Sequence, residues 1–229
     1  MTAAGPAQDR DRCVLCEECV DSCLNSAREV AGRAYTVGQL LAEIEKDRPF
    51  YEQSGGGVTF SGGEALGQID FLAALAGACK GRGIPVAVDT CGHAPFASFE
   101  KILDFVDVFL YDLKLMDPGL HQKYTGKDNR LILENFGRLA QRGADINLRL
   151  PLVEGINDGA DNIAGILDFI RGKGIVRVNL LPYHHLGRAK YARLAGEHRT
   201  GALNAPPAQR LEEIKRLFEA NDYIVKIGG

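Results

Sequence analysis

From Ala34 onward, segments with helical periodicity alternate with short runs of β-branched and apolar residues, and the turns between them are brief. Two parallel strands can be joined only by a crossover, and here each crossover reads as a helix, so the pattern predicts an α/β chain with covered parallel strands. Helices are expected at Val37 to Lys46, Gln68 to Gly81, Ile102 to Phe105, Arg130 to Arg142, Ala160 to Arg171 and Pro207 to Ala220. Strands are expected at Val58 to Phe60, Ile84 to Val88, Val108 to Tyr111, Ile146 to Leu150, Val176 to Leu181 and Tyr223 to Ile227. Thr36 is placed to cap the first of these helices, since its hydroxyl can accept from an unpaired first-turn N–H. Phe71, Leu72, Leu75 and Cys79 fall on one stripe, which reads Cys79 as core.

Within this frame the stretch Gly55 to Glu64, Gly-Gly-Gly-Val-Thr-Phe-Ser-Gly-Gly-Glu, is a strand that ends in a glycine-rich polar corner. Such a corner lets backbone approach a ligand closely, leaves N–H and C=O groups free to grip it, and places the charge of Glu64 beside it. A small zwitterion suits that chemistry. Glu64, Asp89, Asp112, Lys114, Arg149 and His184 all fall at or just beyond the carboxyl ends of expected strands, the end at which a barrel or an open α/β sheet gathers its ligand. Each has a plain structural alternative: a helix cap for Asp89, a solvated Lys114, a surface ion pair for Arg149, a turn histidine for His184. Their convergence on one end is what points to an active site.

Four of the six cysteines, Cys13, Cys16, Cys19 and Cys23, form C-x2-C-x2-C-x3-C. Tight loops of this spacing aim successive thiolates at one iron–sulfur cluster; a zinc knuckle or a metal-free remnant are the alternatives. Leu24 stands where proline follows the fourth cysteine of the bacterial ferredoxin pattern, and no second cysteine run is present to share that fourth ligand. A formal net charge of -3 gives no case for nucleic acid or an anionic membrane surface, and no apolar run reaches the ~18 residues of a spanning helix. Met1 to Arg12 lacks the apolar core of a secretory signal, so a cytoplasmic location is expected.

Taken together, these motifs make the chain resemble the activating enzymes of glycyl radical enzymes, the radical S-adenosylmethionine (SAM) group that includes pyruvate formate-lyase activating enzyme. The resemblance runs from about Cys13 to the C-terminus. It rests on the stretch at 55 to 65, Val-Asp-Thr-Cys-Gly at 88 to 92, Tyr-Asp-Leu-Lys at 111 to 114, His121 with Thr125-Gly126, Arg149-Leu150-Pro151, and Leu-Leu-Pro-Tyr-His at 180 to 184 with Gly187 and Lys190-Tyr191. It implies a partial (β/α) TIM-like barrel, a SAM cofactor and a [4Fe-4S] cluster. It further implies a glycyl radical enzyme as protein substrate and a flavodoxin- or ferredoxin-type reductant. The reaction implied is one-electron reduction of SAM to methionine and a 5'-deoxyadenosyl radical, which takes a hydrogen atom from a backbone glycine of the partner.

By the same resemblance Gly63 would bind the SAM amino group through its backbone, in a loop shaped by Ser61, Gly62 and Glu64. Lys114 would meet the SAM carboxylate, Asp112 and Leu113 would line that pocket, and His184 would sit against the adenosine. Asp89, Thr90 and Asp112 would hold a monovalent cation, a hard ion suited to oxygen ligands. Cys91 stands where asparagine is common. The family's SAM-binding cluster is held by C-x3-C-x2-C, and this sequence has no such triplet: after Cys19 and Cys23 the third position is Ser26.

The expected organisation is a polar tail over 1–12, half of a ferredoxin-like insert over 13–33, and a partial barrel over 34–229 that lacks the family's first strand. An edge left open by that strand predicts either a partner chain there or reduced stability. Two further readings remain beside the enzyme: a non-catalytic module that binds SAM or the partner, and a small electron-transfer protein using only the Cys13 to Cys23 cluster.

Overall fold

A computed structural model describes residues 12–30, 32–184 and 203–228. Most of the polar tail, and the motif residues Gly187, Lys190 and Tyr191, lie outside the described residues. Six strands form one sheet: β1 (Val58–Phe60), β2 (Val86–Thr90), β3 (Val108–Asp112), β4 (Ile146–Leu152), β5 (Arg177–Pro182) and β6 (Ile224–Ile227). Every neighbouring pair is parallel, and the spatial order is β1-β2-β3-β4-β5-β6. The order never reverses. Because parallel crossovers are right-handed, a sheet that advances in one direction puts its helices on one face and leaves the other as the inside of a partial barrel.

Among the described residues the helices are α1 (Glu18–Asp21), α2 (Val37–Glu45), α3 (Arg48–Ser54), α4 (Ile69–Gly81), α5 (Phe96–Ile102), α6 (Pro118–Thr125), α7 (Arg130–Gln141), α8 (Ala160–Ile170) and α9 (Ala208–Glu219), with a 3-10 turn at Ala65–Gln68 before α4. Thr36 caps α2 as expected, in a reciprocal capping box with Gln39. Cys79 is fully buried, and burial pushes its thiol pKa up.

Strand alternation sorts the two faces. Val86, Val88, Phe109, Tyr111, Ile146, Leu148, Leu150, Val178 and Leu180 point into the helix layer and are buried. Asp89, Asp112, Asn147, Arg149 and Asn179 belong to the opposite, half-exposed set, which is the inner face. The register puts Asp112 directly beside Arg149, Arg149 beside Asn179, and Asn179 beside Lys226.

Three expectations shift. The helix expected at Ile102 to Phe105 is instead α5, which starts after Pro95 and buries Phe96, Phe99 and Ile102 on one stripe. The second strand begins at Val86 instead of Ile84, because Asp107 accepts from the Val86 N–H and Asp107 N donates to Val86 O, which opens the β2–β3 ladder there. β4 runs through Pro151 to Leu152: β3 has already ended beside Arg149, so the missing proline N–H costs that ladder no bond.

Candidate active site at the carboxyl edge

The polar residues predicted at strand ends meet in one connected network. Ser61, just past β1, donates its hydroxyl to Asp89 Oδ2 at 3.2 Å. The other oxygen of Asp89 accepts from the Arg149 guanidinium in a very short bond, and Arg149 Nε donates to Asp112 Oδ1 at 2.9 Å. Lys114 Nζ stands 3.6 Å from Asp112 Oδ2. One guanidinium on the middle strand therefore ties together carboxylates from the two strands before it, as only a planar fork of donors can. Burial pushes the Asp112 carboxyl up; Lys114 and Arg149 pull it down, while the neighbouring Asp89 charge adds to the rise, and the balance stays above the ordinary aspartate value.

Glu64 has a structural task that the sequence did not reveal. Its carboxylate accepts from Leu66 N at 3.2 Å, from the Thr90 hydroxyl at 2.8 Å and from Cys91 N at 3.0 Å. It thereby splices the glycine corner to the loop after β2. The Thr90 hydroxyl also accepts from Gly92 N at 2.9 Å, so its oxygen is engaged on the Glu64 side, away from the Asp89–Arg149–Asp112 group. Between Ser61 and Glu64 the backbone turns through Gly62 at φ +101° and Gly63 at φ +20°. Nothing lies within 4 Å of where a Cβ would stand on either glycine. The corner is an open cradle, and left-handed φ at Gly62 excludes most other residues.

Of the remaining predicted residues, Leu113 is buried and its N–H donates to Arg149 O at 3.0 Å, and His184 is exposed two residues past β5. Cys91 is half-buried, with its thiol pushed up by burial and by hydrogen bonding to Glu64. His121 and Thr125 turn out to close α6: His121 Nδ1 donates to Lys127 O at 2.7 Å, and Thr125 packs its hydroxyl on the same carbonyl at 3.0 Å.

The cysteine run is built differently. Cys16 and Cys19 are exposed, Cys13 and Cys23 are half-exposed, and the segment holds only the single-turn α1. Leu15, Glu17 and Ser26 take left-handed φ there, conformations unusual for such residues. The Ala27 N–H donates to Cys23 Sγ at 3.2 Å, which holds that thiol below its ordinary pKa and favours the thiolate a metal needs. Among the described residues no group of three or more His, Cys, Asp or Glu side chains is arranged to hold a metal ion.

Comparison with known proteins gives the same direction as the geometry. The model of the radical SAM superfamily matches residues 12–170, well over half of the chain. The chain belongs to the radical SAM superfamily. Among its relatives, the trans-4-hydroxy-L-proline dehydratase activating enzyme of Clostridioides difficile is 47% identical, with 96% of this chain and 84% of the relative covered. The choline trimethylamine-lyase activating enzyme of Oleidesulfovibrio alaskensis is 39% identical over 89% of this chain and 67% of the relative. A solved domain of pyruvate-formate lyase-activating enzyme from Bacteroides vulgatus superposes with a TM-score of 0.64 at 30% identity, covering 76% of this chain and 99% of that one. These relatives are radical SAM activating enzymes of glycyl radical enzymes, and the chain is a member of that group. Its parallel six-stranded sheet is the radical SAM fold.

For a radical SAM chain the two implied cofactors fare differently. An open glycine cradle, tied through Ser61, Asp89, Arg149 and Asp112 to a lysine ammonium, fits the amino acid end of SAM, a zwitterion with one carboxylate. The described cysteines do not present a converged ligand set for the cluster. Residues that sequence reasoning missed are Asn129, Asn157 and Asn162, whose amides hold the segment after Asp112. They lie in loops and at a helix start without periodic pattern, and only tertiary contact reveals them.

Proposed function

We propose that this chain is the SAM-holding and partner-facing body of a glycyl radical enzyme activating enzyme. The observation that carries the reading is the joining of the Gly62–Gly63 cradle to Lys114 through Ser61, Asp89, Arg149 and Asp112, four side chains in one network. Gly63 meets the SAM amino group with its backbone, Lys114 pairs with the carboxylate, and Asp112, itself held by Arg149, fixes the ammonium's bearing. His184 lies against the adenosine. Asp89 and Asp112 remain candidates for a cation, though the engaged Thr90 hydroxyl is a poor third ligand. The partner is a glycyl radical enzyme, and the reductant is of flavodoxin or ferredoxin type. The described residues do not assemble the ligands of an iron–sulfur cluster.

Residues 13–33 are read as half of a ferredoxin-like insert and 34–229 as the partial barrel. In support, the alignment with the hydroxyproline dehydratase activating enzyme runs over 253 residues, more than this chain's 229, so that relative carries residues within the matched span which this chain lacks. The outer edge of β1, which pairs only with β2 among the described residues, is the place for a further strand or subunit. A monodisperse, highly stable monomer would count against that.

The test is calorimetric titration with SAM. Lys114→Ala should weaken binding about tenfold or more, the size of a lost charge-assisted bond, while leaving the urea midpoint nearly unchanged. Unchanged binding would mean the pocket is wrong. A second reading, a module that binds without chemistry, is favoured by the described cysteines, which present no converged set of metal ligands. Iron and sulfide content after anaerobic reconstitution, with a paramagnetic resonance spectrum of the reduced protein with and without SAM, separates the two. About four irons and a SAM-sensitive signal support the enzyme; little iron or an indifferent signal supports the module.

A further inference from the structure

Past β3 the chain leaves the sheet as Lys114-Leu115-Met116, and side-chain amides hold all three peptide units. Asn157 Nδ2 and Asn162 Nδ2 both donate to Lys114 O, at 3.0 and 3.1 Å. Asn129 Nδ2 donates to Leu115 O and to Met116 O, each at 2.8 Å. Asn162 Oδ1 in turn accepts from Met116 N at 2.8 Å. Three asparagines from three different places, the turn before α7, the turn after β4 and the first turn of α8, thus converge on one short segment. Leu115 is buried, so its carbonyl needs a protein donor, but the second amide on Lys114 O goes beyond what satisfying that carbonyl requires.

Two of these asparagines have further duties. Asn157 also donates to Pro151 O at 2.6 Å and accepts from Val153 N at 2.7 Å, and so shapes the turn that follows β4. Asn129 is buried. Asn162 is the half-buried member, and its remaining bond, to Asn157 O at 2.8 Å, joins the clamp to itself. Its removal would leave Lys114 O with the Asn157 partner, so the fold should persist while the segment loosens.

We infer that Asn162, seconded by Asn157, is a positioning residue for SAM binding: it fixes the Lys114 peptide so that the ammonium is held where the SAM carboxylate arrives. This rests on the reading of Lys114 given above. The residue acts on the ligand's carboxylate end, since its own hydrogen bonds go to Lys114 O, Met116 N and Asn157 O and reach neither the Gly62–Gly63 corner nor His184.

The experiment compares two ligands on the full chain. SAM carries the carboxylate that Lys114 would meet; 5'-methylthioadenosine keeps the adenosine and sulfur and has no carboxylate. Asn162→Ala should weaken SAM by about tenfold and leave methylthioadenosine within about twofold, and in a Lys114→Ala background it should add nothing. Asn162→Asp, which keeps the acceptor for Met116 N but sets oxygen against Lys114 O, should give the same pattern and serves if the alanine variant unfolds. Equal loss for both ligands, or none for SAM, overturns the proposal. Hydrogen exchange at the Met116 amide reads the clamp without any ligand and should quicken in Asn162→Ala. If it quickens while Lys114→Ala leaves SAM binding intact, the SAM reading has failed and takes this inference with it. If Lys114→Ala weakens SAM and Asn162→Ala does not, only this inference falls.

Discussion

The two ends of β3 each carry an aspartate, and the fold treats them in opposite ways. At the amino end Asp107 accepts from Lys80 Nζ and from Val86 N, both at 2.8 Å, and these bonds outweigh its burial to leave the carboxyl below its ordinary pKa. Its neighbour along the same edge, Asp145, pairs with Arg177 at 2.6 Å, one acid to one base, both well exposed. At the carboxyl end Asp112 and Asp89 share a single guanidinium, and burial leaves Asp112 above its ordinary value. One end of the sheet is electrostatically settled. The other keeps two half-buried carboxylates and an adjacent ammonium under mutual tension, an arrangement that favours stability less than it favours a ligand able to complete the set.

The sharpest way to break this comparison is to remove the arginine at each end. Arg149→Met strands Asp89 and Asp112 beside one another with side chains only 23% and 15% exposed, and should cost about 2–3 kcal/mol in urea denaturation together with SAM binding. Arg177→Met removes one exposed partner from Asp145 and should cost no more than about 0.5 kcal/mol, with SAM binding intact. Equal losses at the two ends would mean that Arg149 is a stability residue like any other. A loss of SAM binding in Arg177→Met would move the site.

Much of this contrast was written in the sequence, because period and punctuation are local. The alternation beyond Ala34 gave the parallel sheet, and strand ends marked by Asp89, Asp112 and Arg149 gave the edge at which to look. What local pattern could not give was partnership. Arg149 reads equally well as a surface ion-pair residue, and only the register of β3 with β4 sets it against Asp112. Glu64 reads as a ligand-facing charge, yet its oxygens are spent on Leu66, Thr90 and Cys91. Helix α6 was missed although Asp117 caps it and Pro118 opens it, because its eight residues bury only His121 and leave no apolar stripe to detect. Helix α3, likewise without a buried residue, was missed for the same reason. The cysteine run shows the converse: its spacing is the plainest motif in the chain, and the folded segment brings no three ligands together among the described residues.

The smallest expected effect distinguishes the two aspartates by the sign of their pH dependence. Asp107 is held below its unfolded pKa, so its contribution is present above the unfolded value, near 4, and is lost as pH falls through the folded value. Asp112 is held above its unfolded pKa, so what it contributes is present below about 4 and is lost as pH rises through the folded value; at neutral pH its charge is a cost, carried by Arg149 and Lys114. Urea midpoints measured from about pH 3 to 7 should therefore diverge in opposite senses. Relative to Asp107→Asn the native chain should gain stability as pH rises, by less than about 1 kcal/mol because that side chain is 41% exposed and screened. Relative to Asp112→Asn it should lose stability over the same rise. Two differences of the same sign would show that the carboxyl end of β3 is as settled as the amino end, and the case for a site held ready for a charged ligand would lose its electrostatic half.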